Sequence, residues 1–160
     1  MIKYKPDTVA VVFSEIPDEV TLAVEITNCP GHCVGCHSPW LREDIGEELT
    51  VEKLRDIIDR NIGVTCVCFM GEGKDQEALK SLAADVHTRY PHLKTALYSG
   101  REEVEDDFYL YFNYIKIGPY IPEKKALNFE TTNQRLYEVI VHMDNNVVIK
   151  NDITYKFWRK

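Results

Sequence analysis

Apolar positions along the chain follow two rhythms. Val20, Leu22, Val24 and Ile26 share a period of two across Glu19 to Thr27, as expected of a strand. A short apolar run lies at Val9 to Phe13, and those at Val64 to Met70, Leu93 to Tyr98 and Tyr114 to Ile117 predict further strands. Between them the spacing lengthens to that of helices. Thr50 is placed to cap a helix reaching about Arg60, with Val51, Leu54 and Ile57 or Ile58 recurring along it and Asn61 and Gly63 at its exit. A second helix is predicted from about Asp75 to Tyr90, burying Leu79, Leu82, Ala83 and Val86, and Pro91 stops it. A third, acidic helix is predicted over roughly Glu102 to Tyr109. After Gln134 the texture changes: Leu136 to His142 and Ile153 to Trp158 read as strands, with a turn at Asn145-Asn146 near Val147 to Ile149.

Strand and helix alternate through most of the chain, which predicts an α/β fold with a mostly parallel sheet and a short antiparallel C-terminal appendage. No repeat, low-complexity stretch or linker divides residues 1–160, so a single domain is expected. With 160 residues, 44% hydrophobic and 28% charged, the chain can bury a core without disulfide staples. No apolar run approaches the roughly 20 residues of a membrane helix. The opening MIKYKPDTVAVVF lacks the layout of a secretory signal, so a cytoplasmic location is expected. The formal charge is -7 and no Lys/Arg stripe stands out, so neither nucleic acid nor an anionic membrane is indicated as a partner.

Five cysteines change this picture, because in an intracellular-looking chain they point to metal or redox chemistry rather than disulfides. Three of them stand close together in Cys29-Pro-Gly-His-Cys33-Val-Gly-Cys36, directly after the predicted strand Glu19 to Thr27. Thiolates are soft, charged ligands, and three on one loop can supply three corners of an iron–sulfur cubane; Pro30, Gly31 and Gly35 suit a tight wrap. Three ligands leave one iron of a 4Fe–4S cluster open, which is a catalytic rather than a structural feature. Spacing alone also admits zinc, with His32 or His37 as fourth ligand. Cys66 and Cys68 share one side of their strand with Met70 and read as small buried side chains.

The cysteine spacing, with Gly35 before the last cysteine and His37 after it, resembles the radical S-adenosylmethionine family. More closely, it resembles the activating proteins of anaerobic ribonucleoside-triphosphate reductase. MGEG at residues 70–73, YIKIGPY at 114–120 and TTNQR at 131–135 match subgroup landmarks in order, although Met70 and Gly73 depart from the family pattern. The resemblance implies an abridged, partial (β/α) barrel of the radical S-adenosylmethionine type. It implies a 4Fe–4S cluster held by Cys29, Cys33 and Cys36, reductive cleavage of S-adenosyl-L-methionine, and a glycyl radical raised on the large subunit of the reductase. A low-potential donor such as flavodoxin would supply the electron. The alternatives are an activase of another glycyl-radical enzyme and a zinc-stabilised interaction protein without enzymatic activity.

Cofactor-binding residues expected on the same basis are His37 near the adenine, Gly71 and Glu72 at the turn facing the methionine amino group, Ser99 at the end of the next strand, and Lys116. Trp40, Tyr120 and the run Asn133-Gln134-Arg135 are candidates to shape the pocket. Catalysis is expected from the cluster and cofactor, with no independent catalytic side chain. Glu102, Glu103, Glu105, Asp106 and Asp107 read as a solvated face.

Overall fold

The computed structural model describes residues 1–28, 43–142, 144–145 and 147–158. Along the chain run β1 (Lys3–Tyr4), β2 (Ala10–Val12), β3 (Thr21–Glu25), β4 (Glu47–Glu48), α1 (Val51–Arg60), β5 (Cys66–Met70), α2 (Gln76–Arg89), β6 (Lys94–Tyr98), β7 (Tyr114–Ile117), β8 (Arg135–His142) and β9 (Val147–Asp152). β1 and β4 form a small antiparallel pair. The other strands build a seven-stranded sheet in the order β2-β3-β5-β6-β7-β8-β9. β3, β5, β6 and β7 are parallel and lie in chain order, and antiparallel strands flank them on both sides. The fold is therefore mixed α/β, with one multi-stranded sheet and two α-helices among the described residues.

Alternation along the strands separates two unlike faces. Leu22, Val24, Val67, Phe69, Leu97 and Ile115 point to the side where Leu54 and Ile58 of α1 and Leu79, Leu82 and Val86 of α2 complete the main core. On the opposite face Cys66, Cys68, Ala96, Tyr114 and Leu136 pack with Ile16 and Ile153, and no residue of either α-helix joins them. Both helices begin at side-chain caps: Thr50 Oγ1 accepts from Lys53 N at 3.1 Å, and Asp75 Oδ1 accepts from Ala78 N at 3.1 Å. Phe69 fills the centre, edge-on to Phe112 with ring centroids 6.1 Å apart.

Two expectations are corrected in the second half of the chain. The third helix is only a 3-10 turn at Asp106–Leu110. A run of neighbouring carboxylates repels itself in a helix, and the segment is tied down instead by Phe108, which is fully buried, and by Lys80 Nζ at 2.6 Å from Asp107 Oδ2. Ile153 to Trp158 is not a strand but leads into a 3-10 turn at Thr154–Trp158. Asp152 Oδ1 accepts from Thr154 N at 3.0 Å and from Thr154 Oγ1 at 2.6 Å, and this local turn ends the ladder. The C-terminal strands are antiparallel as expected, and they continue the main sheet, with β8 pairing β7 at Ile115↔Tyr137.

The burial of Phe69 sets the expected scale of core defects. Phe69→Ala should lower the unfolding free energy by about 3–5 kcal/mol, whereas Thr50→Ala, which removes a cap, should lower it by about 1 kcal/mol. Urea titrations of the two variants check the ranking.

Candidate functional site

The carboxyl ends of β5, β6 and β7 lie side by side, and each continues into a turn bonded to the strand or turn beside it. Gly71 N donates to Tyr98 O at 2.9 Å, Ser99 N to Lys116 O at 2.8 Å, and Gly118 N to Arg101 O at 2.6 Å. Gly71 has φ +113°, and a Cβ there would stand 3.2 Å from Ile26 O. Gly118 has φ +102°, and a Cβ would stand 3.0 Å from the Cα of Gln134. That closeness brings residues 131–135 onto the same edge: Asn133 Nδ2 donates to Pro119 O at 3.0 Å, and Gln134 Nε2 donates to Gly118 O at 3.4 Å.

Three expected site residues, Glu72, Ser99 and Lys116, are buried here at 5%, 1% and 7% exposure. A buried carboxylate needs a cation and hydrogen bonds. Arg101 provides both: its Nε donates to Glu72 Oε2 at 2.9 Å and its Nη2 to Glu72 Oε1 at 2.6 Å, while Ser99 Oγ donates to Oε2. The same guanidinium reaches Glu105 through Nη1 at 2.9 Å and Nη2 at 2.8 Å. Lys116 Nζ donates to the carbonyls of Ser99 at 3.1 Å and Gly118 at 2.9 Å. Glu72 thus holds the turn after β5 to the turn after β6, and Lys116 holds the end of β6 to the turn after β7.

Register across the face opposite α1 and α2 puts Glu25, Met70, Tyr98, Lys116 and Leu136 on one rung at this end. Lys116 Nζ sits 5.7 Å from the centroid of the Tyr98 ring, whose hydroxyl donates to Glu15 O. One rung below lie Ala23, Cys68, Ala96 and Tyr114, in register. Burial pushes the thiol pKa values of Cys66 and Cys68 up, which keeps both protonated and suits a packing role.

Cys29, Cys33, Cys36, His37 and Trp40 lie outside the described residues. Among the described residues no group of three or more His, Cys, Asp or Glu side chains could hold a metal ion. This corrects the functional expectation. The iron–sulfur enzyme, its 4Fe–4S cluster, its S-adenosyl-L-methionine cofactor and its oxidoreductase and activase roles find no metal-holding group in the described fold. Comparison of the chain with family models, curated proteins and solved structures returns no match. Among the described residues no helix is long and apolar enough to cross a membrane.

Arg101 escapes motif reading, since one arginine after a Ser-Gly turn has no signature; its i,i+4 spacing to Glu105 is the one sequence signal. A second polar cluster lies at the amino ends of the strands. There Glu19 accepts from Thr65 Oγ1 at 2.7 Å and Tyr114 Oη at 2.8 Å, and Lys94 Nζ stands 3.3 Å away. A groove of about 500 Å³ beside His87, Tyr109, Tyr111 and Val139 also lies away from the candidate edge.

Removing Arg101 leaves Glu72 buried without its cation, so Arg101→Leu should cost about 3 kcal/mol. Glu72→Gln should cost less because Arg101 keeps Glu105, and urea titration checks this asymmetry. Hydrogen bonds from Arg101 also hold the Glu105 carboxyl at about 2, below its ordinary 4.5. Its contribution is therefore present above the ordinary value and lost as pH falls through about 2. Glu105 is half exposed, so the effect on stability should be small and weakened by salt. An NMR titration should find the low midpoint in the parent chain and a return toward the ordinary value in Arg101→Leu.

Proposed function

We propose that this chain is a small-molecule-binding domain with the form of an abridged, partial (β/α) barrel, its ligand seated at the carboxyl ends of β5, β6 and β7. The observation that carries the reading is the convergence of three buried polar side chains, Glu72, Ser99 and Lys116, on adjacent parallel strand ends. In open α/β sheets this is where ligands characteristically bind, because strand ends and turns present polar groups above a closed core. Parallel strands in chain order and the packing of α1 and α2 on one face support the barrel form. The likeness to the radical S-adenosylmethionine family enters here as a likeness of fold. Its landmarks at residues 70–73, 114–120 and 131–135 meet at this edge.

The proposed ligand is a small polar molecule with an apolar portion. Met70 and Tyr98 are only partly buried and offer it a thioether and a ring, while Ser99, Lys116 and the glycine-bearing turns offer hydrogen-bonding groups. The test is an NMR titration of the full chain with amino acids, nucleosides and small dicarboxylates. Binders should perturb the amides of Gly71, Ser99 and Gly118. Lys116→Met should weaken them roughly tenfold, the size of one charge-assisted hydrogen bond, while retaining a cooperative melt. Binders that perturb only the Glu19 cluster or the His87 groove would overturn the assignment.

A further inference from the structure

The C-terminal half of α2, residues 109–113 and β8 enclose a groove of about 500 Å³, within the size range of small-molecule sites. Phe112, Val139 and Val141 give it an apolar lining, and two half-buried polar side chains, His87 and Asn113, line it as well. Both are set by one fully buried residue near the amino end of β6, Thr95. Thr95 N donates to Asn113 Oδ1 at 2.9 Å, which fixes the orientation of the amide. Thr95 Oγ1 donates to Tyr111 O at 2.9 Å, and His87 Nε2 lies 2.9 Å from that hydroxyl and 3.1 Å from the same carbonyl. A carbonyl oxygen only accepts, and the hydroxyl hydrogen is already committed to it. Nε2 therefore carries the imidazole hydrogen, and Nδ1 of the neutral ring keeps its lone pair.

Among the described residues His87 Nδ1 accepts no hydrogen bond and Asn113 Nδ2 donates none, yet neither atom is sealed from solvent. The groove thus offers one acceptor and one donor, both preset from beneath by Thr95. A carboxylate brings no hydrogen for Nδ1, and an ammonium group brings no acceptor for Nδ2. Charge around the groove selects neither sign: Lys150 Nζ stands 4.2 Å from the centroid of the Tyr109 ring, while the carboxylates of Glu103 and Asp106 act on the same tyrosine. We propose that this groove binds a neutral aromatic ring that presents an N–H next to a carbonyl oxygen. The N–H donates to His87 Nδ1, the carbonyl accepts from Asn113 Nδ2, and the ring lies against the apolar lining. An aryl carboxamide and a pyrimidinedione share this edge. The site lies at the amino end of β6, away from Glu72, Ser99 and Lys116, and so does not depend on what those residues bind.

The experiment is an NMR titration of the isotope-labelled full chain with benzamide, uracil and benzoate. Benzamide or uracil should shift the resonances of His87, Asn113 and Val139 saturably, and the tighter of the two identifies the source of the edge. Benzoate has the ring without the N–H and should bind roughly tenfold more weakly. Asn113→Asp keeps an acceptor for Thr95 N and turns the donor into a second acceptor, so a cooperative melt should persist while affinity falls roughly tenfold. Long-range imidazole spectra of the parent chain give a reading that needs no variant: Nε2 should be the protonated nitrogen, and the Nδ1 signal should move when the amide binds. No saturable shift with either amide, shifts confined to Gly71, Ser99 and Gly118, benzoate binding as tightly as the amides, affinity unchanged in Asn113→Asp, or a neutral ring protonated at Nδ1 would each overturn the proposal.

Discussion

A parallel strand with α1 and α2 on one face and other chain segments on the opposite face must satisfy two different neighbours, and the alternation within β5 sets the terms for the rest of the fold. Val67 and Phe69 meet the helices, while Cys66 and Cys68 meet short segments that bring Ile16 and Ile153. Large side chains on the first face set α1 and α2 back from the sheet. Small ones on the second let irregular chain lie close, with Ile16 fully buried. Because successive side chains point oppositely, a one-residue slip in register would exchange these environments. Register is thereby held by packing as well as by the ladder.

The same registration decides what arrives at the strand ends. Glu72 and Ser99 follow neighbouring strands, and Arg101 lies two residues beyond Ser99, so the guanidinium reaches the carboxylate while its own amide donates to Ser99 Oγ at 3.1 Å. A buried ion pair of this kind is weak evidence for stability, because desolvating both charges offsets much of their attraction. Its effect is specific instead: it fixes the turn after β5 relative to the turn after β6. The lysine at 116 does the same for the next pair through the carbonyls of Ser99 and Gly118. An edge locked in this manner is preorganised, which lowers the ordering cost of binding.

Much of this architecture was legible in the chain. Val20, Leu22, Val24 and Ile26 marked the first parallel strand, and Thr50 marked the start of α1, because alternation and capping are local effects written in adjacent residues. The errors lay where distant partners decide. Nothing near Asp107 announces that Lys80 will hold it, and nothing near Leu136 announces that its amide will donate to Thr154 Oγ1 at 2.8 Å. At the candidate edge, Glu72, Ser99 and Lys116 could be named individually from turns and strand ends. The arginine joining two of them could not, since their convergence depends on the order of strands in the sheet. The cysteine loop, which carried the chemical expectation, lies outside the described residues.

The two buried thiols give the fold an internal clock. Cys66 and Cys68 are fully shielded, and an alkylating reagent needs both contact and a thiolate, so neither sulfur can react until the sheet parts from its cover. With abundant reagent, the rate at which these two positions acquire label becomes the rate at which the face opposite α1 and α2 opens. The strand that separates two packing environments thus carries, on its less crowded side, a chemical recorder of how often the domain breathes.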